Sequence, residues 1–294
     1  VFLPIPFIWG PVGGGELTPK SLFRTLSFKE RLYEILKFLV LKMSELDPFV
    51  IKTAKKASLV YATTRDTAKR IKNMNVKNIE CLTQVGIDDL GIESNNFNNE
   101  VCRFVSMGRM IHWKGFLLGL EAFSNVSIEN VEFWFIGDGV CRKSLEEFTQ
   151  KNNLSTKVKF LGELSNEETI KHLKLCDVLV HPSYHDSGGL VCLEAMSLAK
   201  PVICLDTGGP AVFINSDCGF PIRTETQKET LKLITDAMYI LSTNKELRLK
   251  MGQNAKVRVQ NHFLWNTKVK NYSDKYLELI EQNNIKKNYY TENT

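Results

Sequence analysis

Short apolar runs alternate with helical patterns over the last two thirds of the chain. From about residue 100 onward, each β-rich run leads into a loop and then, in most cases, into a helical stretch. The predicted strands are "RFVSMG", "VEFWFIG", "VKFLG", "DVLVHPS", "PVICLD" and "GFPI". Apolar residues recur at helical spacing at Phe116, Leu120 and Phe123, and "EETIKHLKLC" joins the third strand to the fourth. This alternation predicts βα units on a parallel sheet, whose ligands bind at the carboxyl ends of the strands.

The preceding residues predict a separate and incomplete unit. "FLPIPFIW" reads as a strand, "GPVGGGELTP" as a glycine-rich loop, residues 28–43 as an amphipathic helix and "ASLVYAT" as another strand. The Asn-rich segment "GIESNNFNNE" is the best linker candidate. We therefore expect an incomplete amino-terminal domain over residues 1–98 and a second domain over residues 99–262. A terminal helix with a frayed polar tail is expected over residues 263–294.

Length and composition favour a globular protein of two domains. The chain has 294 residues, of which 43% are hydrophobic. No apolar run approaches the ~18 residues that a membrane span needs. The first ten residues lack the basic region and cleavage site of a signal peptide, so we expect a cytoplasmic protein. The seven cysteines show no CxxC pair, which favours reduced thiols in the core over disulfides or a zinc site.

The net charge of +5 is mildly basic and comes without a dense Lys/Arg tract, which argues against nucleic acid binding. A small anion or a membrane surface is the more natural partner. The helix over residues 28–43 has an apolar side formed by Leu32, Ile35, Leu36, Leu39, Val40 and Met43, with lysines and an arginine elsewhere. It could rest on an anionic membrane, but the favoured interpretation is that its apolar side belongs to the core, as for most amphipathic helices.

Two cations follow the first strand of the second domain. In "SMGRMIHWKG" the strand ends at Gly108, Arg109 stands at its carboxyl end and Lys114 precedes the next helix. Two cations and a helix amino terminus at one point predict a phosphate site. The alternative is a pair of solvated surface cations.

The loop "IGDGVCRKSLEE" begins like a dinucleotide-binding fingerprint but departs from it. Arg142 occupies the third glycine position, and Lys159 stands about where the acidic ribose ligand belongs, so NAD is disfavoured. Gly137 and Gly139 could still let the backbone approach a ligand closely. A plain tight turn explains them equally well.

A single carboxylate interrupts an apolar helical stretch in "HPSYHDSGGLVCLEAM". The helix is expected to begin near Gly188 and Gly189, with first-turn N–H groups open to an anion such as a diphosphate. Glu194 lies among apolar neighbours, where a carboxylate needs hydrogen-bond donors. The hydroxyls of a bound ribose could supply them, or an Arg or Lys of a neighbouring element could neutralise the charge.

Asp186 and Glu194, with seven residues between them, resemble the paired acidic signature of retaining glycosyltransferases, specifically glycosyltransferase family 4. The segments "GRMIHWKG", "IGDG", "VKFLGEL" and "KPVICLDTGG" occur in the expected order, and the resemblance covers roughly residues 100–283. It implies the α/β GT-B fold, in which two Rossmann-like domains face a cleft, here with an incomplete amino-terminal domain. It also implies catalytic roles for Arg109, Lys114, Asp186 and Glu194, and donor-binding roles for Gly108, Gly137, Gly139, Glu163, Leu164, Ser187, Gly188, Gly189 and Leu190.

By the same resemblance Arg109 and Lys114 contact the donor phosphates, Glu194 contacts the ribose, and Asp186 contacts the sugar. The "IWGPVGGGE" segment resembles an acceptor-side loop, in which Gly13, Gly14 and Gly15 would line the cleft. Asp186 stands where the family more often has Glu, and Pro210 follows "TGG" where an acidic residue is usual nearby. The family's catalytic-side histidine has no counterpart. No Asp-x-Asp pair occurs, so no metal is expected.

Among the five histidines, only His185 is a candidate for substrate contact, and a structural role is the more common one for a single histidine. His172, His181 and His262 are assigned to surface or packing positions, and His112 to a solvated position near the phosphate loop.

The resemblance implies a retaining transfer of a hexose from a nucleotide-diphosphate sugar to a glycan or lipid-linked acceptor, in polysaccharide or glycolipid synthesis. The alternatives are a GT-B epimerase or phosphorylase, and a non-catalytic subunit that binds sugar nucleotides. The first predicted strand is apolar on both faces and begins near Val1, so we expect further strands ahead of it in the complete protein. We therefore expect this chain to bind the donor but to transfer sugar poorly.

Overall fold

The computed structural model of the chain describes residues 5–90 and 101–292, with side chains up to residue 284. Within these ranges nine strands form two parallel sheets. The strands are β1 (Ile8–Val12), β2 (Leu59–Ala62), β3 (Ile79–Cys81), β4 (Cys102–Met107), β5 (Val131–Ile136), β6 (Val158–Gly162), β7 (Val178–His181), β8 (Val202–Leu205) and β9 (Gly219–Ile222).

The helices, in chain order, are α1 (Phe28–Leu46), α2 (Pro48–Lys56), α3 (Arg65–Lys72), α4 (Phe116–Ser124), α5 (Arg142–Lys151), α6 (Asn166–Lys174), α7 (Leu190–Ser197), α8 (Pro210–Phe213), α9 (Gln227–Thr243), α10 (Lys245–His262) and α11 (Trp265–Glu292). Short 3-10 turns lie at Phe23–Thr25 and His112–Lys114. None of the helices in the described ranges is long and apolar enough to cross a membrane.

The first sheet has the order β1-β2-β3. The strand predicted over "FLPIPFIW" is wrong in its position, because the observed strand begins at Ile8 and runs through Gly10 and Pro11 to Val12. Pro6 lacks the N–H that a ladder needs, which favours a start beyond it. Residues 1–4 of that prediction lie outside the described residues. The strand predicted in "ASLVYAT" is confirmed as β2.

The helix predicted over residues 28–43 is confirmed and extends to Leu46. Ser27 begins it with a capping box, in which its hydroxyl accepts from the Glu30 N–H and the Glu30 carboxylate accepts from the Ser27 N–H. The favoured interpretation of its apolar side as core is wrong. Glu34 is the one buried side chain of this helix, and all of its leucines except Leu41 are exposed.

The second sheet has the order β6-β5-β4-β7-β8-β9, and all six predicted strands are confirmed. Alternate residues enter cores on opposite faces: Phe104 and Phe133 pack on one side, Val105 and Trp134 on the other. The chain order reverses between β4 and β7. Such a switch point opens a crevice at the carboxyl ends of the two strands.

The helix predicted after residue 262 is observed as α11, which begins at Trp265. Two helices, α10 and α11, meet where the Ile87 N–H donates to Phe263 O at 3.0 Å and the Trp265 N–H donates to Ile87 O at 3.1 Å. Helix α11 then lies against the first sheet, with the Tyr272 ring edge-on to Tyr61 at 5.4 Å. Other apolar side chains of this helix, such as Tyr276, Leu277 and Ile280, are at least half exposed.

The two predicted domains share part of their packing. Leu22 and Leu26, which the prediction assigns to the first domain, are buried in the core of the six-stranded sheet. The predicted linker at residues 91–100 lies outside the described residues. All seven cysteines are unpaired, and all but Cys81 are buried, as expected for core thiols.

Candidate functional site

A cavity of about 890 Å³ opens at the switch point between β4 and β7. It is bounded by the loops after β4, β5 and β6, by the start of α7 and by the junction of α10 with α11. Eight of the residues predicted from the sequence line it: Gly108, Arg109, Gly137, Gly139, Glu163, Leu164, Leu190 and Glu194. The position follows from the reversal of strand order, which separates the loops on either side.

Gly137 and Gly139 line this cavity, but tight backbone packing already explains both glycines. Gly137 has φ +116°, and a Cβ there would lie 2.2 Å from Gly108 O. A Cβ on Gly139 would lie 2.6 Å from Met110 O. The loops after β4 and β5 therefore touch through their backbones, and no ligand is needed to account for the missing side chains.

Gly137→Ala is expected to lower the melting temperature, because it combines an unfavourable φ with a backbone collision; the cost is about 1–3 kcal/mol. Gly188→Ala is a matched control in another loop of the site. The nearest atom to a Cβ on Gly188 is Val85 Cγ1 at 3.6 Å, an ordinary contact. Thermal unfolding should give a lower melting temperature for Gly137→Ala than for Gly188→Ala. Equal melting temperatures would contradict the role of Gly137 in tight backbone packing.

Arg109 is exposed on the cavity wall. In the part of the chain that the structure describes, no hydrogen bond or ion pair engages its guanidinium. The N–H groups of Leu190 and Val191, in the first turn of α7, likewise have no acceptor among the described residues, as is usual for a helix start. A free guanidinium and two free amides on residues that line one cavity can receive an anion.

Glu194 lies one helical turn after Leu190 and also faces the cavity. Its carboxylate is largely buried, and burial alone raises its pKa. No cation or hydrogen-bond donor of the described residues reaches it, so the alternative of neutralisation by a neighbouring Arg or Lys is wrong. The carboxylate is partly desolvated and available to donors from a ligand.

Asp186 lies outside the cavity lining and is held by four groups. Its Oδ1 accepts from the Gly188 and Gly189 N–H groups at 3.1 and 3.0 Å. Its Oδ2 lies 2.5 Å from Lys114 Nζ and 3.3 Å from His181 Nε2. Burial alone would raise the pKa of Asp186, but His181 and Lys114 outweigh it and hold that pKa well below its usual range.

This arrangement corrects two expectations. The amides of Gly188 and Gly189 are not open to an anion, since Asp186 already accepts from both. Lys114 does not line the cavity with Arg109, because its ammonium is paired with Asp186. Ser187 stands in the same turn, outside the lining. A lysine ammonium has three N–H donors, so the contact with Asp186 leaves two for another acceptor.

His185, next in sequence to Asp186, is engaged by the first part of the chain. Its Nε2 lies 3.1 Å from Glu34 Oε1 in α1, and its ring stacks on Trp113 with centroids 4.9 Å apart. The other Glu34 oxygen accepts from the Thr18 N–H at 3.0 Å. Burial would raise the pKa of Glu34, but these hydrogen bonds lower it to about 2. The pair thus joins α1 to the loop that carries Asp186.

Glu34→Gln is expected to lower the free energy of unfolding by about 1 kcal/mol at neutral pH, since Gln keeps an acceptor but loses the charge. A depressed carboxyl pKa stabilises the fold above the ordinary pKa of 4.5, and that contribution is lost as the pH falls towards 2. The melting-temperature difference from wild type should therefore narrow over this range. Glu147→Gln, at an exposed helical position, should show no melting-temperature difference from the wild type at any pH in this range. A Glu34→Gln difference that stays constant with pH would contradict the lowered pKa of Glu34.

The predicted acceptor-side glycines lie apart from this cavity. Gly13 and Gly14 are exposed, and a Cβ on Gly14 would meet nothing within 4 Å. Gly15 is buried, and its N–H donates to Thr67 Oγ1 at 3.1 Å. Open space at Gly14 is compatible with a ligand surface, whereas Gly15 is part of the packing of the first unit.

Sequence reasoning missed several cavity residues, including Trp265, Asp88, Asn166 and Thr169. Trp265 reaches the cavity only because the junction of α10 and α11 pairs with Ile87, a contact between distant parts of the chain. His181 was assigned to a surface or packing role; it is buried beside Asp186. Among the described residues, no group of three or more His, Cys, Asp or Glu side chains is placed to hold a metal ion.

The family model of the group 1 glycosyl transferases matches residues 89–258, more than half of the chain and all the cavity-lining loops of the second sheet. The chain belongs to this family. An uncharacterized glycosyltransferase of Methanocaldococcus jannaschii is 28% identical over 253 residues, covering 82% of this chain and 69% of the relative. The O-antigen chain mannosyltransferase C of Escherichia coli is 26% identical over 184 residues, which cover 60% of this chain and 47% of that protein.

Solved structures similar to this chain share its GT-B fold. Anabaena HepE in complex with UDP and glucose superposes with a TM-score of 0.61 at 18% identity, covering 81% of this chain and 69% of that one. Sucrose-phosphate synthase from Thermosynechococcus elongatus gives a TM-score of 0.66 at 18% identity, and the match covers 90% of this chain and 67% of the synthase chain. The chain spans between 30% and 69% of the length of eight curated relatives.

Proposed function

We propose that the chain carries the donor site of a retaining glycosyltransferase, which moves a hexose from a nucleotide-diphosphate sugar to a glycan or lipid-linked acceptor in the cytoplasm. The observation that carries this proposal is the unpaired Glu194 carboxylate in the same cavity as the unpaired Arg109 guanidinium. A sugar nucleotide presents ribose hydroxyls as donors and a diphosphate as an anion. These two groups complement the carboxylate and the guanidinium.

Two relatives support the substrate class. One structurally similar protein was crystallised with UDP and glucose, and one relative in sequence is named an O-antigen chain mannosyltransferase. We infer that this family member also uses a hexosyl donor and acts in polysaccharide or glycolipid biosynthesis.

In the proposed reaction, negative charge builds on the diphosphate as its bond to the sugar breaks. Arg109 and the free Leu190 and Val191 amides stabilise that charge, and preorganised donors of this kind lower barriers by several kcal/mol. Lys114 has two N–H donors left for a phosphate oxygen while it holds Asp186. Asp186 contacts the sugar, and its low pKa keeps it ionised and accepting hydrogen bonds from sugar hydroxyls.

The test is an incubation of the enzyme with UDP-, GDP- and ADP-sugars and an acceptor, followed by NMR of the product. We expect release of nucleoside diphosphate and a product with the anomeric configuration of the donor, at a low rate with this chain and at a higher rate with a longer form of the protein. Interconversion of free sugar nucleotides would instead indicate an epimerase, and a phosphate requirement would indicate a phosphorylase. Binding without turnover in a full-length form of the protein would indicate a non-catalytic subunit.

A further inference from the structure

His181 is a buried basic side chain beside the candidate site that the proposed reaction does not use. It ends β7, where the three preceding residues are the apolar Val178, Leu179 and Val180. The side chain is 4% exposed. Its Nε2 lies 3.3 Å from Asp186 Oδ2 and makes no hydrogen bond within the part of the chain that the structure describes. Burial of an imidazole costs its contacts with water, so packing alone does not explain a histidine here.

Two basic groups approach the same carboxylate oxygen. Lys114 Nζ lies 2.5 Å and His181 Nε2 lies 3.3 Å from Asp186 Oδ2. The two nitrogens are therefore less than about 6 Å apart, a distance at which one charge shifts the pKa of another group. Burial lowers the pKa of His181, Asp186 raises it and Lys114 lowers it, and the net direction is down. His181 is thus neutral in the free protein at neutral pH, and Lys114 supplies the charge that balances Asp186.

The other titratable groups next to His181 are thiols. Cys204 lies opposite His181 on the neighbouring strand β8, and Cys192 lies in α7, which contacts β7. Burial raises the pKa of both thiols, so both are uncharged at neutral pH. Among the described residues, Asp186 and Lys114 are therefore the charged groups that govern the protonation of His181.

We propose that His181 is a positioning residue that replaces Lys114 as the counter-charge of Asp186 when a diphosphate engages Lys114. The Lys114 ammonium then balances phosphate charge, and the nearby anion favours the charged form of His181. The neutral imidazole takes one proton from solvent and becomes an imidazolium, and only this N–H bond forms. Asp186 stays ionised, with its Oδ1 still bound to the Gly188 and Gly189 amides. Engagement of Lys114 by a diphosphate rests on the proposed function, whereas the coupling between Lys114 and His181 does not.

The pH dependence of binding follows from the direction of this pKa change. Binding that raises the pKa of His181 is accompanied by proton uptake, so the affinity for a sugar nucleotide should increase as the pH falls through the raised pKa. Both phosphates of a sugar nucleotide are esterified and do not titrate near neutral pH. The proton is therefore taken up by the protein.

NMR titration of the 294-residue chain with isotope-labelled histidine tests the coupling without a ligand. The His181 signal is the one of five that His181→Gln removes. Lys114→Gln removes the ammonium charge but retains N–H donors, and it should raise the pKa of His181 by about one pH unit or more. Asp186→Asn removes the carboxylate charge but retains an acceptor, and it should lower that pKa. Lys143→Gln, at an 88% exposed position of α5, is the matched control and should leave it unchanged.

The opposite signs separate this coupling from a general loosening of the fold. Loosening would hydrate the imidazole and raise its pKa in both variants, because burial is the largest effect that lowers it. Each expected shift is decisive by itself if the other variant does not fold. An unchanged pKa of His181 in Lys114→Gln, or an upward shift in Asp186→Asn, would overturn the proposal.

Calorimetric titration with UDP-glucose, GDP-mannose and ADP-glucose, in buffers of low and high ionisation enthalpy, measures proton uptake on binding. The wild type should take up as much as about one proton more per nucleotide than His181→Gln, and only the wild type should bind more tightly as the pH falls from about 8 to 6. Equal proton uptake by the two proteins would overturn the proposal. No binding of any of the three compounds would overturn the proposed function and the role of His181 during binding, whereas the NMR shifts would still establish the coupling.

Discussion

Arg109→Ala is expected to weaken the binding of nucleoside diphosphates to this chain by about 10- to 150-fold, the value of a lost hydrogen bond to a charged group. In a form of the protein that transfers sugar, kcat/KM should fall further, by about 100- to 1000-fold, if the guanidinium stabilises charge that develops in the transition state. Arg109 is exposed and forms no ion pair within the described residues. The melting temperature of the Arg109→Ala variant should therefore stay close to that of the wild type.

Calorimetric titration with UDP, GDP and ADP measures the loss of nucleotide affinity in the Arg109→Ala variant. Arg223→Ala is the matched control, because Arg223 is an exposed arginine that directly follows a strand of the same sheet. It lies 3.4 Å from Glu225 and does not line the cavity. The Arg223→Ala variant should bind nucleotides as the wild type does. An Arg109→Ala protein that binds as tightly as wild type would remove the phosphate role of this residue.

Glu194→Gln is expected to change binding and stability in opposite directions. Loss of the carboxylate weakens its hydrogen bonds with ribose hydroxyls, at a cost of about 1–3 kcal/mol of affinity. The unliganded protein should become slightly more stable at neutral pH. A carboxyl group whose pKa is raised by burial favours folding when protonated, and this contribution is lost as the pH rises through the raised pKa, so the ionised form destabilises the fold.

Two measurements check this prediction: the melting temperature without ligand, which should rise by up to a few degrees, and the Kd for the nucleotide. A purely structural carboxylate would give the reverse result, a less stable protein with unchanged affinity. Glu121→Gln offers a comparison at another carboxyl group whose pKa burial raises, outside this cavity. It should leave nucleotide binding unchanged.

The four inner strands of the second sheet, β5, β4, β7 and β8, could be predicted because they are largely buried on both faces, which produces continuous apolar runs such as "VEFWFI". The order of strands, and so the position of the cavity, follows from the regularity of βα units. Helix α1 shows the limit of such patterns. The spacing of Leu32, Ile35, Leu36 and Leu39 predicts an apolar face, but it does not determine whether protein or solvent lies opposite.

Side-chain pairing within the site could not be predicted in the same way. Asp186 is 72 positions from Lys114 in sequence, and their contact depends on how the loops after β4 and β7 meet. The contact of Asp186 with the Gly188 and Gly189 amides is local, because an Asp side chain commonly accepts from the N–H groups two and three residues further on. Glu194, by contrast, was identified correctly as a desolvated carboxylate because all of its sequence neighbours are apolar.

The central claim is that the cavity at the switch point binds a nucleoside diphosphate through Arg109 and Glu194. A crystal structure of the chain soaked with UDP, GDP and ADP in turn tests it most directly. We predict that the diphosphate of the bound nucleotide lies against the Arg109 guanidinium and the Leu190 and Val191 N–H groups, with the ribose hydroxyls within 3.2 Å of the Glu194 carboxylate. A nucleotide bound elsewhere, or one whose ribose points away from Glu194, would contradict the account.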